Sequence, residues 1–346
     1  MTRAGWSLVR PRWMRRRLEG PWRGSGSGWQ WWLADPAGRR PAELFDDFLR
    51  QDSPQVVALR AKQTRSRWCY RIDDADTAER HWFAKRMVLP RHHRLGALLG
   101  VSHRWLGLTH GSAEFRHALA LEQRTSLGVG MLALGEQLEF GLPTRQVLIS
   151  SWLGDWPTLT SALLQADGTR RVQLLRALLE TLRQLYRAGF CHLDLHPGNL
   201  LASPAPSGRG NCLPALKVID CARVSLDADP DAAAAIHLGV LMHELNGKRG
   251  GIEPGLEQAG TRLLRAIIGH SRPAAERLLI MLLRYSTKKP FSRHTLLGRA
   301  PERLSLGRIE QTLEQMTGHR AAQASRPVMP SAALARAIAA ALVSEA

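Results

Sequence analysis

The order of strand and helix signals predicts an α+β protein, with an antiparallel sheet in the first half and a mainly helical second half. Three observations carry this. Short β-branched and aromatic runs separated by polar turns fill residues 54–88 and return at 146–151. Long amphipathic stretches at helical spacing follow residue 170. The pattern changes near 152–156, so strands and helices are segregated rather than alternating. Segregation of this kind predicts a cleft between a sheet-rich and a helix-rich part.

Residues 1–32 hold seven arginines, one acidic residue (Glu19) and six of the eleven tryptophans: Trp6, Trp13, Trp22, Trp29, Trp31 and Trp32. This mixture suits a membrane interface, where the ring sits at headgroup level and the guanidinium meets lipid phosphate. It also suits nucleic acid, through stacking plus charge. The third possibility is an edge strand and arm packed on the main domain. Gly24-Ser25-Gly26-Ser27-Gly28 has the composition of a flexible linker. Val56 to Leu59, Trp68 to Ile72 and Trp82 to Val88 then read as an antiparallel meander, with turns at Lys62–Ser66 and Asp73–Asp76. A helix is expected over 113–127 and a buried strand over 146–151. Arg170 to Gly189 places Val172, Leu175, Leu179, Leu182 and Tyr186 on one stripe, ended by Gly189. Further helices are expected over 231–245 and 262–285, and in an Ala-rich tail from Ser331. The expected domains are an extension and linker (1–51), a sheet-rich part (52–155), a helical part (156–320) and a tail helix (321–346).

Composition narrows the class. Apolar residues make up 44% and charged residues 23% of the 346, which suits a folded core and excludes a disordered chain. No apolar run reaches the ~18 residues of a membrane span. The basic N-terminus lacks the apolar core of a secretory signal. Cys69, Cys191, Cys212 and Cys221 are scattered, as expected of reduced thiols in a cytoplasmic protein. The formal charge is +18, from 48 basic and 30 acidic residues. It draws the chain toward anionic surfaces. The basic set is 42 arginines and 6 lysines, so a lysine inside a strand is unusual here.

The strongest chemical signal is FCHLDLHPGNLL, residues 190–201, directly after the long amphipathic helix. It places Asp194 two residues after His192, and Asn199 five residues after the Asp. Past a Pro/Gly/Ser-rich loop (203–211), LKVIDCAR is a strand that ends on Asp220. Phosphoryl transfer needs a carboxylate to accept the proton of the attacking hydroxyl, hard oxygens for Mg²⁺ and a cation on the phosphates. Asp194 suits the first role. Asn199 and Asp220 suit the second. Lys85, mid-strand, suits the third, since a compact ammonium on a flexible stem can reach two phosphate oxygens. A helix Glu is expected to fix Lys85. Glu114, in the first turn of EFRHALA, is preferred, with Glu122 the competitor. His192 is expected to pack beneath the loop and hydrogen-bond backbone. His196 fits either loop packing or phosphate contact.

HLDLHPGN resembles the catalytic loop of the protein-kinase-like fold, with IDCA standing where Asp-Phe-Gly usually stands. YRIDDADTAERHWFAKR, EFRHALALEQRTSLGV and VLISSWLGDWPTLTSALL narrow the resemblance to bacterial lipopolysaccharide core kinases, the Kdo/heptose group, over roughly residues 54–245. The resemblance implies a two-lobed kinase-like fold, ATP and Mg²⁺ as cofactors, and catalysis by Asp194 with Lys85. It also implies nucleotide and metal contacts from Lys85, Glu114, Asn199 and Asp220. The implied acceptor is a sugar hydroxyl of a lipid-linked glycan at the inner face of the cytoplasmic membrane. The basic cluster Arg86, Arg91, His92, His93, Arg94 and the Arg/Trp segment could hold the chain on an anionic membrane. Two departures stand out: Cys221-Ala222 replaces Phe-Gly, and no glycine lies between the first two strands of the meander. The alternatives are a soluble kinase of hydroxylated small molecules and a kinase-like binding or regulatory protein. Nucleic acid is the least expected partner.

Overall fold

A computed structural model describes residues 19–23, 28–59, 66–77, 80–91, 94–99, 111–204, 213–226, 228–246, 254–284, 329 and 331–343. Residues 1–18, the Gly-Ser string 24–27, the turn residues 62–65, His92, His93, Cys212 and most of the Pro/Gly/Ser-rich loop lie outside this set. The chain divides into two compact units, Met1–Gln123 with Gly128–Gly154, and Arg124–Leu127 with Asp155–Ala346.

The first unit is built on β1 (Glu19–Arg23), β2 (Trp29–Leu33), α1 (Arg39–Arg50), β3 (Val56–Ala58), β4 (Arg67–Asp73), β5 (His81–Val88), α2 (Arg94–Leu99), α3 (Gly111–Arg124), β6 (Met131–Glu139) and β7 (Leu142–Ser151). Seven described strands form one antiparallel sheet in the order β1-β2-β6-β7-β5-β4-β3. Alternation along each strand separates two faces. Trp82 and Ala84 of β5, Tyr70 and Ile72 of β4, and Val147 and Ile149 of β7 join one core cluster with Leu44 and Phe45 of α1. Phe45 meets Tyr70 edge-on at 5.3 Å between ring centroids. Lys85, on the opposite parity of β5, faces away from this cluster.

Residues 29–50, placed by the sequence in an extension, are part of this core. Trp29, Trp31 and Trp32 are buried. Trp31 lies opposite Gly135 of β6, where an added Cβ would sit 2.6 Å from the indole. The missing side chain is what lets the ring lie on the strand. Trp31 Nε1 donates to buried Asp46 of α1 at 3.3 Å. The edge-strand possibility therefore describes β1, with β2 inside the sheet next to it: three of the six N-terminal tryptophans are buried instead of facing an interface. β6 itself carries a weak strand signal, because MLALGEQLE lacks β-branched residues and clean alternation.

The second unit holds α4 (Leu159–Gln165), α5 (Gly168–Arg187), β8 (Cys191–His192), β9 (Leu200–Ala202), β10 (Leu216–Val218), β11 (Val224–Ser225), α6 (Pro230–Leu245), α7 (Pro254–Ile268), α8 (Pro273–Arg284) and α9 (Ser331–Val343). Asp167 caps α5 by accepting from Arg170 N at 2.7 Å. The helix stops at Gly189, whose φ is +60°. Phe190 N donates to Leu185 O and Gly189 N to Tyr186 O, both at 3.1 Å, the paired bonds of a Schellman end. α6 is buried nearly all round, as an apolar helix in a core must be. The single helix expected over 262–285 is two: Gly269 takes φ +81°, and Pro273 starts α8. The Ala-rich tail helix α9 packs on α5 and α7. Its Leu334, Ile338 and Ala341 are buried against Leu175, Leu179 and Leu263.

Candidate active site

In the sheet unit, Lys85 occupies a central strand, opposite Cys69 of β4 and Leu148 of β7. Its Nζ donates to both carboxylate oxygens of Glu114, each at 2.8 Å. The two side chains retain only 14% and 7% of their exposure. Glu122 is used elsewhere: its Oε1 accepts from Met131 N at 2.6 Å and ties the end of α3 to the start of β6. A buried polar chain sets the start of α3. Gly111 N donates to Gln146 Oε1 at 2.7 Å, and Gln146 Nε2 donates to Glu136 Oε1 at 2.9 Å. Glu114 sits three residues after this anchor, so β6 and β7 fix the height at which its carboxylate meets Lys85. Sequence reasoning passed over Gln146 and Glu136. Their only signal was a polar residue beside an apolar run, Glu136 after MLALG and Gln146 before VLI, and such residues are buried only when hydrogen-bonded.

In the helical unit, two short ladders frame two loops. β8 pairs with β11, Val224 against His192 and Ser225 against Cys191. β9 pairs with β10, Leu200 against Val218 and Ala202 against Leu216. Residues 193–199 run from β8 to β9, and residues 219–223 run from β10 to β11. Pairing the strands at both ends forces the two loops side by side. Ile219 N donates to Asn199 O at 3.0 Å, and Leu193 N to Arg223 O at 2.9 Å. Asp194 and Asn199 thus lie on one loop and Asp220 on its neighbour. Asn199 Nδ2 donates to Asp194 O at 3.0 Å, which turns the amide oxygen away from that carbonyl. Asp220 holds φ +56°, in the left-handed region that a non-glycine residue enters at a cost of about 1–2 kcal/mol. Cys221 and Ala222, standing in the Phe-Gly positions, are both buried.

Histidines support these loops from beneath. His192 is fully buried. Its Nδ1 accepts from Asp194 N at 3.1 Å, and its Nε2–H donates to Ile219 O at 3.2 Å. One imidazole therefore bridges the residue before Asp220 to Asp194 itself. The backbone N–H of His192 donates to Nε2 of His237, in α6, at 2.8 Å. Burial, with His192 beside it, pushes the His237 pKa down to about 3. Burial also lowers that of His192, against the upward pull of the Asp194 and Asp220 carboxylates. Both rings are neutral at pH 7, as their acceptor roles require. His196 Nδ1 accepts from Gly198 N at 3.1 Å and caps the 3-10 turn Pro197–Asn199. His237 carried no sequence signal: a lone histidine in an apolar helix is the ordinary pattern of a core residue.

Residues 141–227 match the family model of the ABC1 atypical kinase-like domain, a stretch from β7 through both framed loops. No curated protein matches the chain. A solved structure, WaaP in complex with acyl carrier protein, is similar at 18% sequence identity and a TM-score of 0.44, covering 83% of this chain and 98% of that one. The sheet unit, the helical unit and the matched domain define an α+β, protein-kinase-like fold. The class is a kinase-type phosphotransferase, of the atypical kinase-like kind over the matched residues. Among the described residues no helix is long and apolar enough to cross a membrane.

Proposed function

We propose that this protein is an ATP- and Mg²⁺-dependent kinase that phosphorylates a sugar hydroxyl of a lipopolysaccharide core at the cytoplasmic membrane face. The observation that carries the chemistry is the pair of ladders that sets Asp194, Asn199 and Asp220 on neighbouring loops. The Lys85–Glu114 pair supplies a second support. The sugar acceptor rests on the resemblance of residues 54–245 to the core kinases.

The donor set suits Mg²⁺, which takes one or two protein oxygens and completes its shell with phosphates and water. Asn199 Oδ1 and the Asp220 carboxylate would hold the ion. When bound, it neutralises charge on the phosphate oxygens. Asp194 accepts the proton of the sugar hydroxyl as that oxygen bonds to the γ-phosphorus of ATP and the bond to the β-phosphate oxygen breaks, releasing ADP. The Asp194 backbone N–H is held by His192, which fixes the main chain from which the carboxylate projects. Lys85 donates to phosphate oxygens, and Glu114 holds the ammonium in place and charged. The strained backbone at Asp220 is stability given up to aim a carboxylate.

The test is transfer from labelled ATP in the presence of Mg²⁺ to three pools: extracted lipopolysaccharide, small hydroxylated metabolites and protein. Label in the core saccharide, lost in Asp194→Asn, is expected. Label confined to small metabolites would replace the acceptor. No transfer and no nucleotide-dependent thermal shift would make the chain a kinase-like binding protein.

A further inference from the structure

β6 and β7 are joined by the two-residue turn Phe140–Gly141, with φ values of +48° and +78°. Consecutive positive φ values make a type I′ turn, whose first position favours Asn, Asp or Gly. A phenylalanine there is strained, because its Cβ crowds the backbone. Phe140 is also 95% exposed. Neither the turn nor the core gains from this ring, so its place on the surface points outward, to a partner.

The surroundings name the partner. Val88 lies opposite Arg145 of β7, and Leu89 N donates to Thr144 O at 2.8 Å, so the end of β5 runs beside the hairpin. Arg94, at the start of α2, reaches Glu139 Oε2 at 3.5 Å, next to the turn. Val88 and Leu95 are exposed apolar side chains at this same end of the sheet. Arg91 and Arg145 are exposed beside them. An aromatic tip with aliphatic flanks and three guanidiniums against one carboxylate is complementary to an anionic bilayer. The ring enters the headgroup boundary and the cations meet lipid phosphate.

We propose that this end of the sheet is a membrane-docking surface, in which Phe140 inserts into an anionic phospholipid bilayer while Arg91, Arg94 and Arg145 contact its phosphates. This places the membrane contact assumed above on named residues and does not depend on the transfer chemistry.

Co-sedimentation of the full chain, without nucleotide, with phosphatidylcholine vesicles containing or lacking phosphatidylglycerol tests it. Binding is expected only with phosphatidylglycerol, and should weaken as salt is raised. Phe140→Asn should lower the partition coefficient by about tenfold, since burying one aromatic ring is worth at least that factor. The same variant should melt no lower than wild type, because Asn suits the turn. Arg91→Gln with Arg145→Gln should lower binding by a similar factor or more, at roughly fivefold per cation. Wild-type partition that is absent, equal on both vesicles, or unchanged in Phe140→Asn would overturn the proposal. Transfer to deacylated, water-soluble acceptor should be unchanged in Phe140→Asn. A failure of that transfer in wild type bears on the kinase reading alone.

Discussion

Removing the Glu114 carboxylate takes from the Lys85 ammonium, on β5 between β4 and β7, the acceptor of two of its hydrogen bonds. The intact pair makes two 2.8 Å bonds with 14% and 7% of its side-chain surface exposed. At this separation the direct attraction is roughly 6 kcal/mol for an effective dielectric near 20. Desolvation of the two charges offsets much of it, so the pair adds little to stability over an apolar replacement. Breaking it from one side is another matter: removing one partner of a buried ion pair costs about 3–5 kcal/mol. Lys85 has a flexible stem and some residual exposure, which favours the lower end, about 3 kcal/mol. Glu114→Ala should therefore lose about 3 kcal/mol in chemical denaturation, while Lys85→Met with Glu114→Leu should lie within about 1 kcal/mol of wild type. Transfer should fall on the order of a hundredfold in Glu114→Ala, through misplacement of Lys85. Glu122→Ala should lose the bond to Met131 N, about 1 kcal/mol, and keep its transfer rate. A Glu114→Ala protein as stable as wild type, or a double variant no better than the single one, would refute the reasoning.

Asp220→Gly should keep its stability within about 1 kcal/mol, because relief of the +56° backbone offsets the extra chain entropy of glycine. It should still lose Mg²⁺-dependent transfer; a stability loss well beyond that figure would mark Asp220 as a structural residue. His192 and His237 bear on pH dependence. Burial lowers both, His237 from 6.5 to about 3, so the unfolded chain takes up protons that the folded chain refuses. Their contribution is fully present above pH 6.5 and is lost as pH falls toward 3. His237→Gln keeps an acceptor for the His192 N–H without a titrating ring, and should flatten the acid limb of stability against pH. Equal slopes in variant and wild type would show that His237 does not titrate across unfolding.

What was legible depended on how far the deciding contact lay along the chain. The stop of α5 at Gly189 is local: a glycine at positive φ closes bonds to residues a few positions back. The spacing of Asp194, Asn199 and Asp220 was also legible, because each loop is short and its strands are adjacent in sequence. The expected helix over 262–285 failed on a local feature as well. Its apolar spacing continues across Gly269 and Pro273, but the glycine at positive φ ends one helix and the proline starts the next. The Arg/Trp segment misled for a different reason. Tryptophan beside arginine has the same composition in a buried strand as at a membrane, and only the pairing of β2 between β1 and β6 buries Trp29 and Trp31 on one face of the sheet and Trp32 on the other.

By itself the sequence determined the α+β order, the charge of +18 and the residue types on the two loops. These depend on composition and on contacts within one or two turns of chain. Tertiary structure alone decided three things: that Lys85 meets Glu114 while Glu122 holds the start of β6, that His237 supports His192 from 45 residues away, and that Phe140 stands bare on a strained turn. Each is set by strand register and helix packing, in which a shift of one residue would exchange the faces and change every partner.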